Sequence, residues 1–457
     1  MRAPSDAGRN YQSGPIATAV QWVSFLPLFC VLLPLGLLVN LWAWLSALAS
    51  GGVAKLVAHK TLPTHNLYRK VSSRTRVLNV TELEEKTLDP DKCRTVFASY
   101  AEINGFRSTE AAIEFRTMAD DCDKSSVYHE MVPEQYEGKV RLVVYHGARR
   151  SIICGLFDFG YFDGTSCFNF VKGFLSAYFD GHAVLNRPAP DNDIELRFAD
   201  RFAAKLGARY AFGVAAREAV TFARGWARWG LSREALDPIL APEISSVLIT
   251  IDETDTAAML DALRSESPPI KPFAHLLAST AAAVGTVEDR SPVCLLTQIS
   301  CQQRYYEPPL PRDQVGYWLI GRSSWHSLST LADLSFCRDY YRTLTQELET
   351  LEGKTRQALV RQAMLGLGGS GNIINTRQLF WFNNYGARQM TPRAGRVTYH
   401  WAPNFRMCTH VLANIITVND HTCITLSSNT IGLAKLADVA QEMKQRLLAG
   451  GRAQKAA

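Results

Sequence analysis

At 457 residues, with 47% apolar and 20% charged side chains, the chain is long enough for two ordinary folding units and too apolar for a disordered tail. The net charge of +6 is spread thinly, without the Lys/Arg stripes and interleaved aromatics that would neutralise a phosphate backbone, which argues against a nucleic-acid partner. Ten cysteines occur with no CxxC pair and no paired histidine spacing, so no metal is expected; Cys154, Cys294 and Cys423 sit inside apolar runs and read as reduced, buried small hydrophobes.

In chain order, residues 1–21 read as a tail. No charged side chain occurs from Asn10 to Ala54, and Trp22 to Leu48 is almost wholly apolar. Crossing a bilayer core needs about 20 such residues, so 22–48 is expected to be a transmembrane segment, with Trp22, Trp42 and Trp44 near its ends and Pro27 and Pro34 as sites of a kink or a shallow hairpin. The stretch 49–84 reads as a basic juxtamembrane linker: Lys55 to Arg76 carries six Lys/Arg and no acid, against Arg2, Arg9 and Asp6 on the other flank. That asymmetry places the carboxy-terminal bulk of a single-pass endomembrane protein in the cytosol. The competing reading is a signal peptide cleaved after Ala49 and a secreted protein, in which Asn79-Val80-Thr81 would be a glycosylation sequon.

Beyond Leu88, helical and strand patterns alternate. Arg141 to Leu156 predicts a hairpin turning at Gly147-Ala148-Arg149, and Thr165 to Phe179 has helical apolar spacing, so GLFDFGYFDGTSCFNFV (Gly155 to Val171) lies at a strand-to-helix turn. A proline-rich loop at Asn186 to Asn192 precedes a helical region reaching Trp229. Ser245 to Glu253 predicts a strand, Thr254 to Leu263 and Pro272 to Val284 helices, and Pro292 to Ser300 a strand. A helix at Leu334 to Leu351, strands at Val411 to Val418 and Cys423 to Leu426, and a last helix at Leu433 to Leu448 complete an α/β pattern in two halves: lobes at 85–240 and 241–450, then a tail at 451–457. Gly366 to Gly371 satisfies GxGxxG but follows a helical pattern instead of a strand, so it is read as a helix-ending loop.

The order of pieces around Asp163-Gly164-Thr165-Ser166 resembles the chloramphenicol acetyltransferase-like superfamily, which includes condensation domains, wax-ester and alcohol acyltransferases and plant acyltransferases of the His-x-x-x-Asp type. The resemblance runs from about residue 85 to 450. It also rests on the strand–helix–helix–strand run from Ser245 to Ser300, on Gln303-Arg304, on Val315-Gly316-Tyr317-Trp318 and on the run near Asn372. It implies a two-lobed fold with a tunnel between the lobes, an acyl-CoA co-substrate with no bound cofactor, and a lipophilic hydroxyl or amine acceptor; contact with the bilayer is expected from the apolar segment 22–48. The family motif reads His-His-x-x-x-Asp-Gly, and its second histidine is taken as the base that deprotonates the acceptor.

In this chain the histidine pair is replaced by Asp158 and Phe159, while Asp163 and Gly164 are kept. Phenylalanine cannot take a proton. Asp158 is the nearest substitute base, although neighbours on an extended segment face opposite ways. Asp163 reads either as a residue of the catalytic machinery or as a cap or ion-pair partner at the turn, and Thr165 and Ser166 read as capping groups. Phe168, Phe170, Phe174, Phe179, Trp226 and Trp229 fit a core first and the lining of a lipid channel second. Two function classes follow: a membrane-anchored acyl-CoA-dependent acyltransferase, slow or atypical for want of its base, and a non-catalytic descendant kept as a binding or scaffold subunit.

Overall fold

The computed structural model describes residues 76–119, 122–134, 136, 138–158, 162–182, 244–288, 293–300, 319–350, 353, 379–404 and 410–452. The apolar run 22–48, the loop 186–192, the glycine-rich loop 366–371, Gln303, Arg304, residues 315–318, Asn372, Trp226, Trp229 and Phe159 lie outside them. Among the described residues no helix is long and apolar enough to cross a membrane.

In chain order the elements are β1 (Arg76–Leu83), α1 (Pro90–Ile103), β2 (Ala111–Thr117), α2 (Lys124–Met131), β3 (Val140–His146), β4 (Ser151–Asp158), α3 (Gly164–Asp180), β5 (Ser245–Ile251), α4 (Glu253–Ser265), α5 (Pro272–Val287), β6 (Val293–Ser300), β7 (Leu319–His326), α6 (Leu328–Ala332), α7 (Leu334–Glu349), β8 (Leu379–Arg388), β9 (Val397–Asn404), β10 (Val411–Val418), β11 (His421–Ser428) and α8 (Leu433–Arg452). They form two mixed sheets, ordered β2-β3-β4-β1-β9 and β5-β11-β10-β8-β6-β7.

The expected hairpin is β3–β4, paired antiparallel from Val140↔Phe157 to His146↔Ser151. Every residue of β4 is buried, because the strand lies between β3 and β1 and both its faces are covered. On one face Cys154 and Leu156 meet Val127, Tyr128 and Met131 of α2. On the other, Ile153 and Phe157 meet α3. Helix α3 is buried almost all round, its small polar side chains included, as a helix enclosed by other elements is. Its cluster takes Leu142 and Tyr399 from the first sheet and Trp381, Leu412 and Ile416 from the second, so α3 is embedded between them. The second sheet turns its other face, with Phe380, Phe382, Ile415 and Ile424, to α4, α5 and α8.

Three expectations change. The first sheet begins inside the stretch 49–84 expected as linker, because β1 runs from Arg76 to Leu83. Likewise, β9 lies in the 241–450 stretch yet hydrogen-bonds along β1, from Arg76↔Asn404 to Leu83↔Val397. The lobes are therefore stitched by a strand that returns to the first sheet. Third, Asn79 and Thr81 of the sequon are fully buried. The Asn79 amide accepts from the Gly155 N–H at 2.7 Å and donates to the Tyr399 hydroxyl at 3.2 Å. A glycan on Asn79 is incompatible with this sheet, which removes the sequon as support for a secreted protein.

Polar side chains bridge the sheets at the β9 seam. The Lys124 ammonium lies 3.3 Å from Glu82 and donates to the hydroxyls of Thr250 (2.9 Å) and Thr398 (3.1 Å), while Tyr128 reaches Ser246 at 3.2 Å. Thr250 also meets Nε2 of the buried His400 at 3.2 Å.

Candidate active site

The strand-to-helix turn is held at both ends. At the end of β4 the Asp158 N–H donates to the Lys139 carbonyl at 2.8 Å, and the Asp158 carbonyl accepts from the Phe162 N–H at 3.0 Å. The Asp158 carboxylate shares the face of Cys154 and Leu156, away from α3, and lies 3.7 Å from the Arg76 guanidinium, with both side chains close to nine-tenths buried. Arg76 is fixed in turn by its Nε, which donates to the Tyr136 carbonyl at 2.9 Å. The substitute base suggested by the sequence is therefore occupied by an ion pair on the far side of the strand.

Phe162 is fully buried, in ring contact with Phe106, Phe157 and Phe170 at centroid distances of 5.9, 5.0 and 5.8 Å. Asp163 follows as the N-cap of α3: it is fully buried and its Oδ1 accepts from the Ser166 N–H at 2.7 Å. A helix start leaves amides with no helical partner, and a carboxylate there also meets the positive end of the helix dipole. Capping thus belongs to Asp163, while Thr165 and Ser166 stand inside the first turn. The thiol one position further, Cys167, is pushed well above its ordinary range by burial, with the Asp163 charge adding, so it supplies no thiolate.

Gly164 is required for a close approach. A Cβ at this position would stand 2.5 and 2.7 Å from ring carbons Cζ2 and Cε2 of Trp401, and 2.8 Å from the Tyr385 hydroxyl oxygen. Both partners come from the second half of the chain, β9 and β8, and their rings meet edge to face at 5.2 Å. The Trp401 carbonyl accepts from Asn414, whose Oδ1 accepts from Asn383, whose Oδ1 accepts from the Trp381 indole, at 3.1, 2.8 and 2.9 Å. A buried amide chain thereby fixes the strand bearing Trp401 against the motif.

At this spot the buried Trp401 indole N–H and Thr165 hydroxyl have no hydrogen-bond partner. Such groups cost about 1–3 kcal/mol each when left unmade, so a carbonyl oxygen brought to the first turn of α3 would be well received. Gly164→Ala is expected to destabilise the fold by about 1–3 kcal/mol through overpacking, read as a lower denaturation midpoint, and Gly164→Ala with Trp401→Leu to recover most of the loss. An unchanged midpoint in Gly164→Ala would contradict the contact.

All eight histidines from residue 76 onward are described; His59 and His65 lie outside. None is on β4 or in the first turn of α3. His146 and His182 sit at the opposite ends of the hairpin and of α3, about 20–25 Å from the motif at the usual rise per residue. His129 is on α2, and His400 aligns through Val80 with Cys154, on the face of the sheet away from α3. His275, His326, His410 and His421 belong to the second sheet and its helices, where His326, His410 and His421 bond Ser324, Thr430 and Arg396. Sequence reading located Asp163 and Gly164 but missed Arg76, Tyr385, Asn414 and Trp401, whose roles come from pairing across 76 to 414 and carry no local signal.

No family model matches the chain, and no curated protein matches it in sequence. Solved structures do. Trichothecene 15-O-acetyltransferase from Fusarium sporotrichioides superposes with a TM-score of 0.62 at 10% identity, covering 85% of this chain and 93% of that one. The first condensation domain of the calcium-dependent antibiotic synthetase, in complex with a substrate analogue, gives 0.59 at 13% identity, over 86% and 96%. The starter condensation domain of rhizomide synthetase, in complex with C8-CoA and Leu-SNAC, gives 0.53 at 11% identity, over 88% and 96%. The chain therefore shares the fold of these acetyltransferase and condensation domains, built on two mixed α/β sheets.

Proposed function

We propose that the protein is a membrane-anchored acyltransferase, held by residues 22–48 with its lobes facing the cytosol, that moves an acyl group from coenzyme A to a hydroxyl or amine of a lipophilic acceptor through a tunnel between the lobes. The observation that supports this reading is the turn itself: Asp163 caps α3 and Gly164 admits Trp401, and beside them the Trp401 indole N–H and the Thr165 hydroxyl have no partner and would be available to an acyl carbonyl oxygen. Anchoring in the bilayer would concentrate the enzyme where a greasy acceptor dissolves. Holding donor and acceptor together is worth roughly 7–11 kcal/mol and a general base only about 3–5, so transfer from an activated thioester survives loss of the base, at a reduced rate.

A second reading is a non-catalytic binding or scaffold subunit, favoured by the absence of any histidine among the described residues of β4 and the first turn of α3. The full chain in detergent, given acyl-CoA of short, medium and long chains with lipophilic alcohols and amines, separates the two. Acceptor-dependent release of free CoA thiol, with the acylated product seen by mass spectrometry, is the expected result. Saturable acyl-CoA binding without turnover for any pair would favour the binding subunit.

A further inference from the structure

Resting on the proposed anchoring by residues 22–48, we propose that the first sheet docks end-on against an anionic leaflet, through the end that carries the motif turn, and that the basic stretch 55–74 holds it there. The partner is a headgroup layer containing acidic phospholipid. The docking surface is the end of the sheet at which β1 begins and β4 and β9 finish.

Three observations meet at that end. The chain enters the fold there: Arg76, the first residue of β1, stands opposite Asp158, the last of β4, and Asn404, the last of β9. Residues 55–74 carry five Lys/Arg and no acid, and the last of these cations, Arg74, is two residues from Arg76. Each Lys or Arg close to an anionic leaflet strengthens attachment about fivefold, and the attraction reaches about 8 Å at physiological salt. Two residues span at most about 7 Å, so a stretch held by its charges brings the end of the sheet within reach of the headgroups.

The second observation is apolar. Among the described residues the large exposed hydrophobic side chains are Ile103, 38% exposed, and Leu433. Ile103 closes α1, which returns from the far end of β1 to the start of β2, and three residues on the Phe106 ring stacks on Phe162 at 5.9 Å, beside Asp163. An apolar side chain at this level gains by entering the headgroup layer. The third is charge. At the motif end Arg76 pairs with Asp158, and Arg107 and Lys139 share Glu110 at 3.0 Å each, which with the exposed Glu102 leaves these charges balanced. At the opposite end, 84–89 carries Glu84, Glu85 and Asp89 against Lys86, and an anionic leaflet repels it. Docked this way, the Asp163–Gly164 turn lies on the leaflet side of the fold, where a lipophilic acceptor dissolves.

The test reconstitutes the full chain in vesicles of phosphatidylcholine alone and of equal parts phosphatidylcholine and phosphatidylserine, and follows amide hydrogen exchange over 103–110 and 84–89. Exchange over 103–110 is expected to be at least about tenfold slower with phosphatidylserine at low salt, with 84–89 unchanged, and the difference to close at high salt. Lys70→Gln combined with Arg74→Gln, checked for folding by its melting curve, should speed exchange over 103–110 again by up to about 25-fold. Alkaline carbonate gives the anchor its own readout: a chain that it extracts from the vesicles has no span at 22–48, and the anchoring falls together with this inference. A chain that resists carbonate while exchange over 103–110 ignores phosphatidylserine, or while 84–89 slows in its place, overturns the docking and leaves the anchor standing.

Discussion

Phe170→Ala is expected to destabilise the fold by about 3–5 kcal/mol, the usual cost of emptying a packed aromatic site. The ring is fully buried at the hub of five others, with centroids at 6.3 Å (Phe97), 5.1 Å (Tyr100), 5.7 Å (Phe106), 5.8 Å (Phe157) and 5.8 Å (Phe162). Most of these contacts are edge to face, the preferred aromatic geometry, and the Tyr100 hydroxyl bonds the Phe170 carbonyl at 3.0 Å, so neighbouring rings cannot collapse inward without breaking other pairs. Because Phe162 leads into Asp163, the same cavity would loosen the motif turn. Denaturant unfolding of the full chain measures the loss, and Phe170→Leu should retain most of the stability. The size of the effect also decides between core and channel. A ring lining a lipid channel has open space on one side and its truncation is cheap, so a loss below about 1 kcal/mol would return Phe170 to the channel wall.

What was legible in the sequence follows from where each element finds its partners. The β3–β4 hairpin and helices α3, α4, α5 and α8 were readable because local periodicity and punctuation specify them: a short turn at Gly147, and Asp252 and Pro272 at helix starts. β1 was not. Its Asn79 and Thr81 look like solvent-facing positions of a strand or a polar linker, yet both are buried, with Asn79 satisfied only by Gly155 and Tyr399, far away in the chain. β9 was missed for the same reason: its place in the first sheet depends on pairing with β1 more than 300 residues earlier, and no window of sequence records that. At the site, Asp163 and Gly164 were visible as a motif, but the reason for the glycine, the indole of Trp401 lying against it, depends on that same long-range pairing.

Acidification should unfold this protein through its seam. His400 is enclosed between β1, β9 and the second sheet, and burial, with the Lys124 ammonium adding, holds its pKa down at about 3, the Ile424 backbone pulling weakly the other way. An unfolded histidine titrates near 6.5, so the folded state keeps its stability above that pH and loses it as the pH falls from about 6.5 toward 3, by up to about 5 kcal/mol. The sign is that of a depressed base: the unfolded chain binds the proton and the native seam does not. Protonating His400 in place would set a second cation beside Lys124, which already shares the Thr250 hydroxyl with Nε2 of the imidazole. His275, also lowered by burial, works in the same direction from the α5–α8 interface and supplies a part of the slope that is independent of the seam. Denaturant stability of the full chain and of His400→Gln, measured from pH 7.5 down to 4.5, should diverge below about pH 6.5 by one proton's worth of slope, with the glutamine variant the flatter curve. Parallel curves would mean that the imidazole is not held neutral between the sheets. Because Lys124 also reaches Thr398 on β9, the strand that carries Trp401, a seam opened by acid should release the indole from Gly164 before the second sheet melts, seen as a change in tryptophan fluorescence that precedes loss of secondary structure.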